Sequence, residues 1–350
     1  MIFFLIILLL IAVRSATIAA QDQFNKNYLS KIDANNIKGI FVILIIFSHY
    51  VGYVQLGGRY DQPYLALREH LNQMVVAMFW FYSGYGIMTS MQRKNKGYLK
   101  GILTRRFPKV WASLAAAVGI FMLVNLITGR QYPVGQIMLS LIGWESIGNS
   151  NWYMFDTLVI YLLVYLSFSM VKFRSKKVQE YVGCAFLTVL TGVFIYTLMK
   201  VGKENYWYNS VIIFPVGCWY ALLKDKIESI FMKNDRFYMG GALLAVLIYS
   251  ISFRNRWKYG IEGYTVWAVA FVAVIVLFTM KVSISSHIFT WFGEHVFSVY
   301  MLQRIPMIIF SDLGFARNKY MFLVICIIST VFLADLFDRY IGEKIKRVFA

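Results

Sequence analysis

The sequence predicts an all-α fold, a polytopic membrane bundle of about ten to eleven transmembrane helices. Three observations predict it. Of its 350 residues, 59% are hydrophobic and only 15% charged, whereas soluble domains carry about 25% charge. Nearly uncharged windows of about 17–20 residues, long enough to cross a bilayer, recur from end to end. The basic residues gather in alternate connections, as the positive-inside rule requires.

The spans read, in order, as residues 3–20, 37–55, 73–91, 108–128, 152–171, 181–199, 207–223, 237–253, 263–281, 289–310 and 319–338. The first is apolar throughout. Its end, Ser15 to Ala20, also resembles the cleavage region of a signal peptide, but such a peptide wants positive side chains before its apolar core. Cleavage would also leave Lys26, Lys31 and Lys38 on the wrong side, so a retained helix is expected. The second span carries Lys38 near its start and His49 near its end. The third holds Ser83-Gly84, and Pro108 suits the first turn of the fourth. The fifth opens at Trp152, with Asp156 one turn later. The later spans are joined by short loops, with no linker or repeat. Residues 1–350 therefore read as a single membrane domain.

Net charge is +18. One connection holds Arg93, Lys94, Lys96, Lys100, Arg105, Arg106 and Lys109. Another holds Lys172, Arg174, Lys176 and Lys177, a third Lys224, Lys226, Lys233 and Arg236, and the tail Arg339, Lys344, Lys346 and Arg347. With eleven spans these fall on one side, the cytoplasmic one by the charge rule. Lys38 then marks the inner membrane edge and His49 lies toward the outer one. Charge scattered over short loops excludes nucleic acid as a partner; the partner of the bulk of the chain is the lipid bilayer. Cys184, Cys218 and Cys326 lie inside apolar segments, and no pair has metal or disulfide spacing. No histidine pair has metal spacing within a helix, so no metal is expected.

Candidate chemistry begins at Lys38 and His49. Eleven helical steps bring the two side chains to within about 20° of one another, about 16 Å apart along the axis. An ionisable residue at His49's depth is a functional candidate. At the fourth span, Arg105-Arg106-Phe107-Pro108-Lys109 places three cations at a helix entrance. They read either as topology anchors or as a phosphate clamp, which the planar fork of arginine suits. Asp156 reads as a partner of His49, as a ligand for a sugar hydroxyl, or as a snorkelled interfacial residue. Glu145 and Glu204 lie in outer loops beside tryptophan or tyrosine, a pattern shared by carbohydrate sites and membrane interfaces. His70 and His287 read as solvated loop residues, and His295 sits early in the tenth span beside Glu294.

Lys38-Gly39-Ile40, an apolar run and His49 resemble the first core helix of the acyltransferase-3 family, whose signature is a basic residue, ten residues and a histidine. Further stretches agree in order. Phe79-Trp80-Phe81-Tyr82-Ser83-Gly84-Tyr85-Gly86 is similar to its aromatic–Ser–Gly–aromatic segment. Arg105-Arg106 resembles its basic pair, Asn151-Trp152-Tyr153-Met154 its Trp–aromatic start, and Phe292 to Gln303 its late Gly–Ser–Tyr–Leu motif. The likeness covers residues 32–340. Gln303 stands where the late motif usually has histidine, and Asn35 where an acid often precedes the basic residue. The 1–20 helix is additional.

The resemblance implies an acyl-CoA co-substrate, usually acetyl-CoA, and a sugar hydroxyl of a surface polysaccharide as acceptor. It implies localisation in a bacterial cytoplasmic membrane. Lys38, Arg105, Arg106 and Lys109 would hold the CoA phosphates. His49 would act as general base or as an acyl carrier, and Ser83, Tyr85, Trp152, Asp156 and Gln303 would line the substrate site. Ser83-Gly84 also reads as a small-residue packing pair. The rival function is a polysaccharide or small-molecule transporter or flippase, although the paired broken helices of many transporters are not seen.

Overall fold

The computed structural model describes residues 1–93, 97–171, 173 and 175–349. Lys94, Lys96, Lys172 and Arg174, assigned above to basic loops, lie outside the described residues. The bundle comprises α1 (Ile2–Arg14), α2 (Lys31–Tyr50), α3 (Gln62–Leu71), α4 (Met74–Arg93), α5 (Gly97–Gly101), α6 (Phe107–Ile127), α7 (Val134–Ser140), α8 (Trp152–Met170) and α9 (Lys176–Lys200). It continues through α10 (Ile213–Phe231), α11 (Asp235–Asn255), α12 (Gly260–Lys281), α13 (His287–Glu294), α14 (Val296–Leu302), α15 (Arg304–Asp312), α16 (Lys319–Phe337) and α17 (Glu343–Val348). Among the described residues, seven helical stretches are long and apolar enough to cross a membrane. Leu123 and Leu126 of α6, Val189 and Val193 of α9, and Leu243 and Leu247 of α11 point outward and are exposed. A lipid-solvated bundle presents such faces, because its backbone polar groups are already satisfied within each helix.

Three expected spans differ. The first is a helix of 13 residues, too short at about 1.5 Å per residue to match a 30 Å core by itself. It ends where Ser15 Oγ donates back to the Ile11 carbonyl at 2.6 Å. The chain then extends into β1 (Ala16–Ile18), which pairs antiparallel with β2 (Val282–Ile284) after α12. The seventh begins later than expected and runs on to Phe231, so Lys224 and Lys226 are helical. Lys224 pairs with Glu228 one turn on, at 2.7 Å. The tenth is not one helix but three, α13 to α15, interrupted at His295 and Gln303.

Contacts sort the connections into two layers. Lys281 bonds Asp235 at 2.6 Å and the Ala20 carbonyl at 2.9 Å, and Tyr28 meets Tyr220 at 2.7 Å. This is the basic layer. In the opposite layer, the Met1 amino group and Lys319 both contact buried Asp61, at 2.9 and 2.6 Å. Tyr50 Oη donates to the Lys319 carbonyl at 2.6 Å.

Two helix pairs touch backbone to backbone. A Cβ on Gly39 would lie 1.9 Å from the Phe289 carbonyl oxygen, and one on Gly293 1.9 Å from that of Asn35, so α2 and α13 are fused by reciprocal glycines. Gly84 against Phe214 (2.0 Å) and Gly217 against Phe81 (2.2 Å) do the same for α4 and α10. Small residues permit such approach where no hydrophobic effect drives helices together.

Candidate functional site

Helix α2 is the axis of the site. Ser30 caps it, accepting the Asp33 backbone N–H at 3.1 Å, and a nearly continuous run from Ala34 to Phe47 is buried. Asn36 accepts the Ser286 backbone N–H at 2.9 Å, which ties the helix to α13. The helix therefore carries Lys38 and His49, both half-buried, at fixed depths in the basic and opposite halves of the bundle.

His49 opens into a polar vestibule of about 600 Å³ in the opposite layer. Its walls carry Trp144, Trp152, Tyr206 and Trp207, the carboxylates Glu145 and Glu204, and the cations Arg68, Lys203 and Arg304. Lys203 Nζ lies 3.8 Å above the Trp144 ring and 4.3 Å above the Trp207 ring, donates to the Trp144 carbonyl at 3.0 Å and approaches Glu145 at 3.8 Å. Burial in this aromatic clamp pulls the Lys203 ammonium below the usual lysine range, against the opposing pull of Glu145. Asn151 anchors the start of α8 by donating to the Glu145 carbonyl.

A second cavity, of about 180 Å³, lies on the other side and is almost wholly apolar. Phe79, Val110, Met154, Val296 and Phe297 line it together with Ser83 and Thr157, whose hydroxyl donates to the Tyr153 carbonyl at 2.7 Å. Its end wall is Tyr153 and Tyr300, whose rings stand 5.9 Å apart at 65°. The Tyr300 ring is 6.2 Å from the His49 imidazole. The two cavities thus approach one another at Tyr300 and His49.

The sequence-predicted residues fall as follows. Gln303 is fully buried, and it and Arg304 face His49. His49 Nδ1 and Gln303 Oε1 are nevertheless both buried without a hydrogen bond. Trp152 lines the vestibule, and its ring meets Tyr206 at 5.8 Å. Ser83 lines the apolar cavity, while its neighbour Gly84 makes the helix contact. Gly84 thus carries the packing reading, and Ser83 stands at a cavity wall.

Asp156 is not a snorkelled surface residue. It is fully buried one turn inward from Trp152, and neither carboxylate oxygen has a hydrogen-bond partner, so it does not hold His49. Tyr85 departs from its expected place: it lines neither cavity and packs with Phe81 and Tyr220. Helical periodicity explains this, since Tyr85 lies two residues from Ser83 and so points to another face of α4.

Among the cations, Arg106 sits 5.1 Å over the Tyr98 ring and reaches Tyr161, which lines the apolar cavity. A π-helical turn, Ile102–Arg106, delivers it there. Arg105 is exposed; Lys109 is half-buried one residue before Val110. Lys38 faces Glu294 and Lys31, with Glu294 two residues before cavity-lining Val296. Asn35 donates to Glu294 at 3.5 Å, so the acid missing at position 35 is present nearby on α13.

The other histidines line neither cavity. His70 is exposed on α3, stacked on Phe253 at 4.0 Å, and exposed His287 opens α13. His295 stacks on Trp291, and its Nδ1 meets Asp338 at 2.5 Å. Among the described residues, no cluster of three or more His, Cys, Asp or Glu could hold a metal ion.

Sequence reasoning missed Tyr153, Tyr300, Lys203 and Arg304 as site residues. Tyr300 was visible only as part of the late motif, and Lys203 and Arg304 only as charges. A family model described as an acyltransferase domain matches residues 31–339. No curated protein and no solved structure matches the chain.

Proposed function

Because the chain belongs to the acyltransferase-3 family, we propose that this membrane acyltransferase moves an acetyl group from acetyl-CoA to a hydroxyl of a cell-surface glycan or glycan precursor. The observation that carries this reading is the meeting of two cavities of opposite chemistry at His49 and Tyr300. The apolar cavity suits the thin pantetheine arm and its thioester; the polar, aromatic-walled vestibule suits a hydrated sugar.

In this reading the basic layer faces the cytoplasm of a bacterial cell, and the CoA phosphates rest among Arg105, Arg106, Lys109 and Lys38. Arg106 marks the mouth, because it touches a tyrosine that lines the apolar cavity. The acceptor enters from the opposite layer against Trp152. Neutral His49 removes the hydroxyl proton as the oxygen attacks the thioester carbonyl. The tetrahedral adduct collapses with cleavage of the C–S bond, and the imidazolium returns the proton to the departing CoA thiolate. General-base help of this kind contributes about 10²–10⁴-fold. Buried Gln303 can orient the imidazole without titrating, in place of the usual histidine.

The test supplies radiolabelled acetyl-CoA to membranes containing the wild-type protein or His49→Ala at equal expression. Label is expected in surface glycan with the wild type and not with the variant. Near-normal labelling by His49→Ala would sink the mechanism. Movement of unmodified glycan across the membrane would favour transport instead.

A further inference from the structure

We propose that the acceptor is anionic, and that Arg304 seats its carboxylate or phosphate group beside His49. The inference rests on the acyl-transfer reading only for calling the ligand an acceptor. Arg304 is the first residue of α15, half-buried at the edge of the vestibule and facing the imidazole. Its protein contacts are neutral and long: Nε to Tyr53 Oη and Nη1 to Ser150 Oγ, both 3.4 Å.

A guanidinium has five N–H donors, and no carboxylate lies within ion-pairing distance of this one among the described residues. Arg130 and Arg256, by contrast, each hold an acid, Asp312 and Glu69, at 2.9 Å. The nitrogens of Arg304 are not buried without partners, so its spare donors open into the cavity. A planar fork held with free donors matches a carboxylate or phosphate two-to-two, and such charge-assisted bonds are about twice as strong as neutral ones.

The remaining charges of the vestibule leave this role to Arg304. Lys203 is already held by Glu145 and two tryptophans. Arg68 and Glu204 lie on exposed parts of the wall, where solvent screens them. Arg304 alone among the lining cations joins partial burial, proximity to His49 and the lack of an acidic partner. An anionic group fixed there would place a hydroxyl of the same sugar residue, or of its neighbour, at the imidazole.

The test is binding to the full chain in detergent micelles, read by intrinsic fluorescence, since Trp144, Trp152 and Trp207 line the cavity. The probes are glucose, glucuronate and glucose 6-phosphate. At least one anionic sugar is expected to bind about tenfold or more tightly than glucose, a ratio that one well-seated ion pair readily supplies. Which of the two does so tells carboxylate from phosphate. Arg304→Gln should abolish the preference, and Arg304→Lys should keep part of it. Equal binding of all three sugars by the wild-type protein would overturn the inference, as would a preference that survives Arg304→Gln. Failure of acetyl transfer in membranes would instead count against the acyltransferase chemistry and leave the binding preference standing.

Discussion

The two cavities that approach His49 are built from opposite materials. The one toward the basic layer is small and walled by apolar and tyrosine side chains, with few polar atoms facing in. The one in the opposite layer is more than three times as large and walled by indoles, amides and charges. A hydrated sugar entering the first would lose its hydrogen bonds without replacement, at several kcal/mol for each unpaired group. An acyl thioester arm in the second would gain little from burial. In the proposed reading, donor and acceptor would take separate routes and meet at the Tyr300–His49 contact.

The strongest way to break this comparison is to disable the meeting point. His49→Gln keeps a polar side chain at the junction and removes the base. Initial-rate assays should show transfer reduced by about 10²–10⁴-fold with both Michaelis constants little changed. A large rise in either constant would mean that the histidine belongs to one cavity only.

Next in size is the scaffold of the opposite layer. Asp61 is fully buried and gathers the Met1 amino group, Lys319 and the Gly57 and Gly58 N–H groups. Breaking a buried pair from one side costs about 3–5 kcal/mol, so Asp61→Asn should lower the melting temperature clearly. In the basic layer, Asp235 is partly exposed beside Lys281, and Asp235→Asn should barely move it. Burial pushes the Asp61 carboxyl up, but the bonds from Lys319, the Met1 amino group and Gly57 outweigh this and hold it below the usual carboxylate range. Its stabilisation is therefore complete above the unfolded value of about 4. It is lost only as pH falls through the lower folded value. Melting curves recorded between neutral and acid pH should show this loss in the wild type and not in Asp61→Asn.

Two milder substitutions separate the routes. Arg106→Gln should raise the Michaelis constant for acetyl-CoA by about tenfold and leave that for the acceptor unchanged, because a charge-assisted phosphate contact is lost. Trp152→Ala should do the reverse by several-fold. A variant that moves both constants would show that the cavities are not independent. Smallest of all, Tyr85→Phe should alter neither constant, since that hydroxyl faces neither cavity; a loss of activity would return Tyr85 to the site.

The sequence by itself determined the membrane-bundle class, because apolar windows and loop charge are local and additive properties. It also determined that Lys38 and His49 share a helix face, because eleven residues on a helix leave no other geometry. It placed Trp152 at a helix start, where the residue lines the vestibule, and it flagged Ser83-Gly84, of which Gly84 makes a helix contact and Ser83 lines a cavity. Only the tertiary structure decided what stands beside these residues. Burial of Asp156 without a partner, the diversion of Tyr85 to Tyr220, and the Tyr153–Tyr300 wall all depend on which faces of α4, α8 and α14 turn toward one another. The breaks at His295 and Gln303 showed in the sequence only as the polar pairs Glu294-His295 and Gln303-Arg304 within the apolar segment 289–310, which do not by themselves end a helix. Helix periodicity fixes the face a residue shares with its own neighbours. The partner of that face is fixed by packing between helices, as where Gly39 meets Phe289 and Gly84 meets Phe214, and that information is distributed over the whole chain.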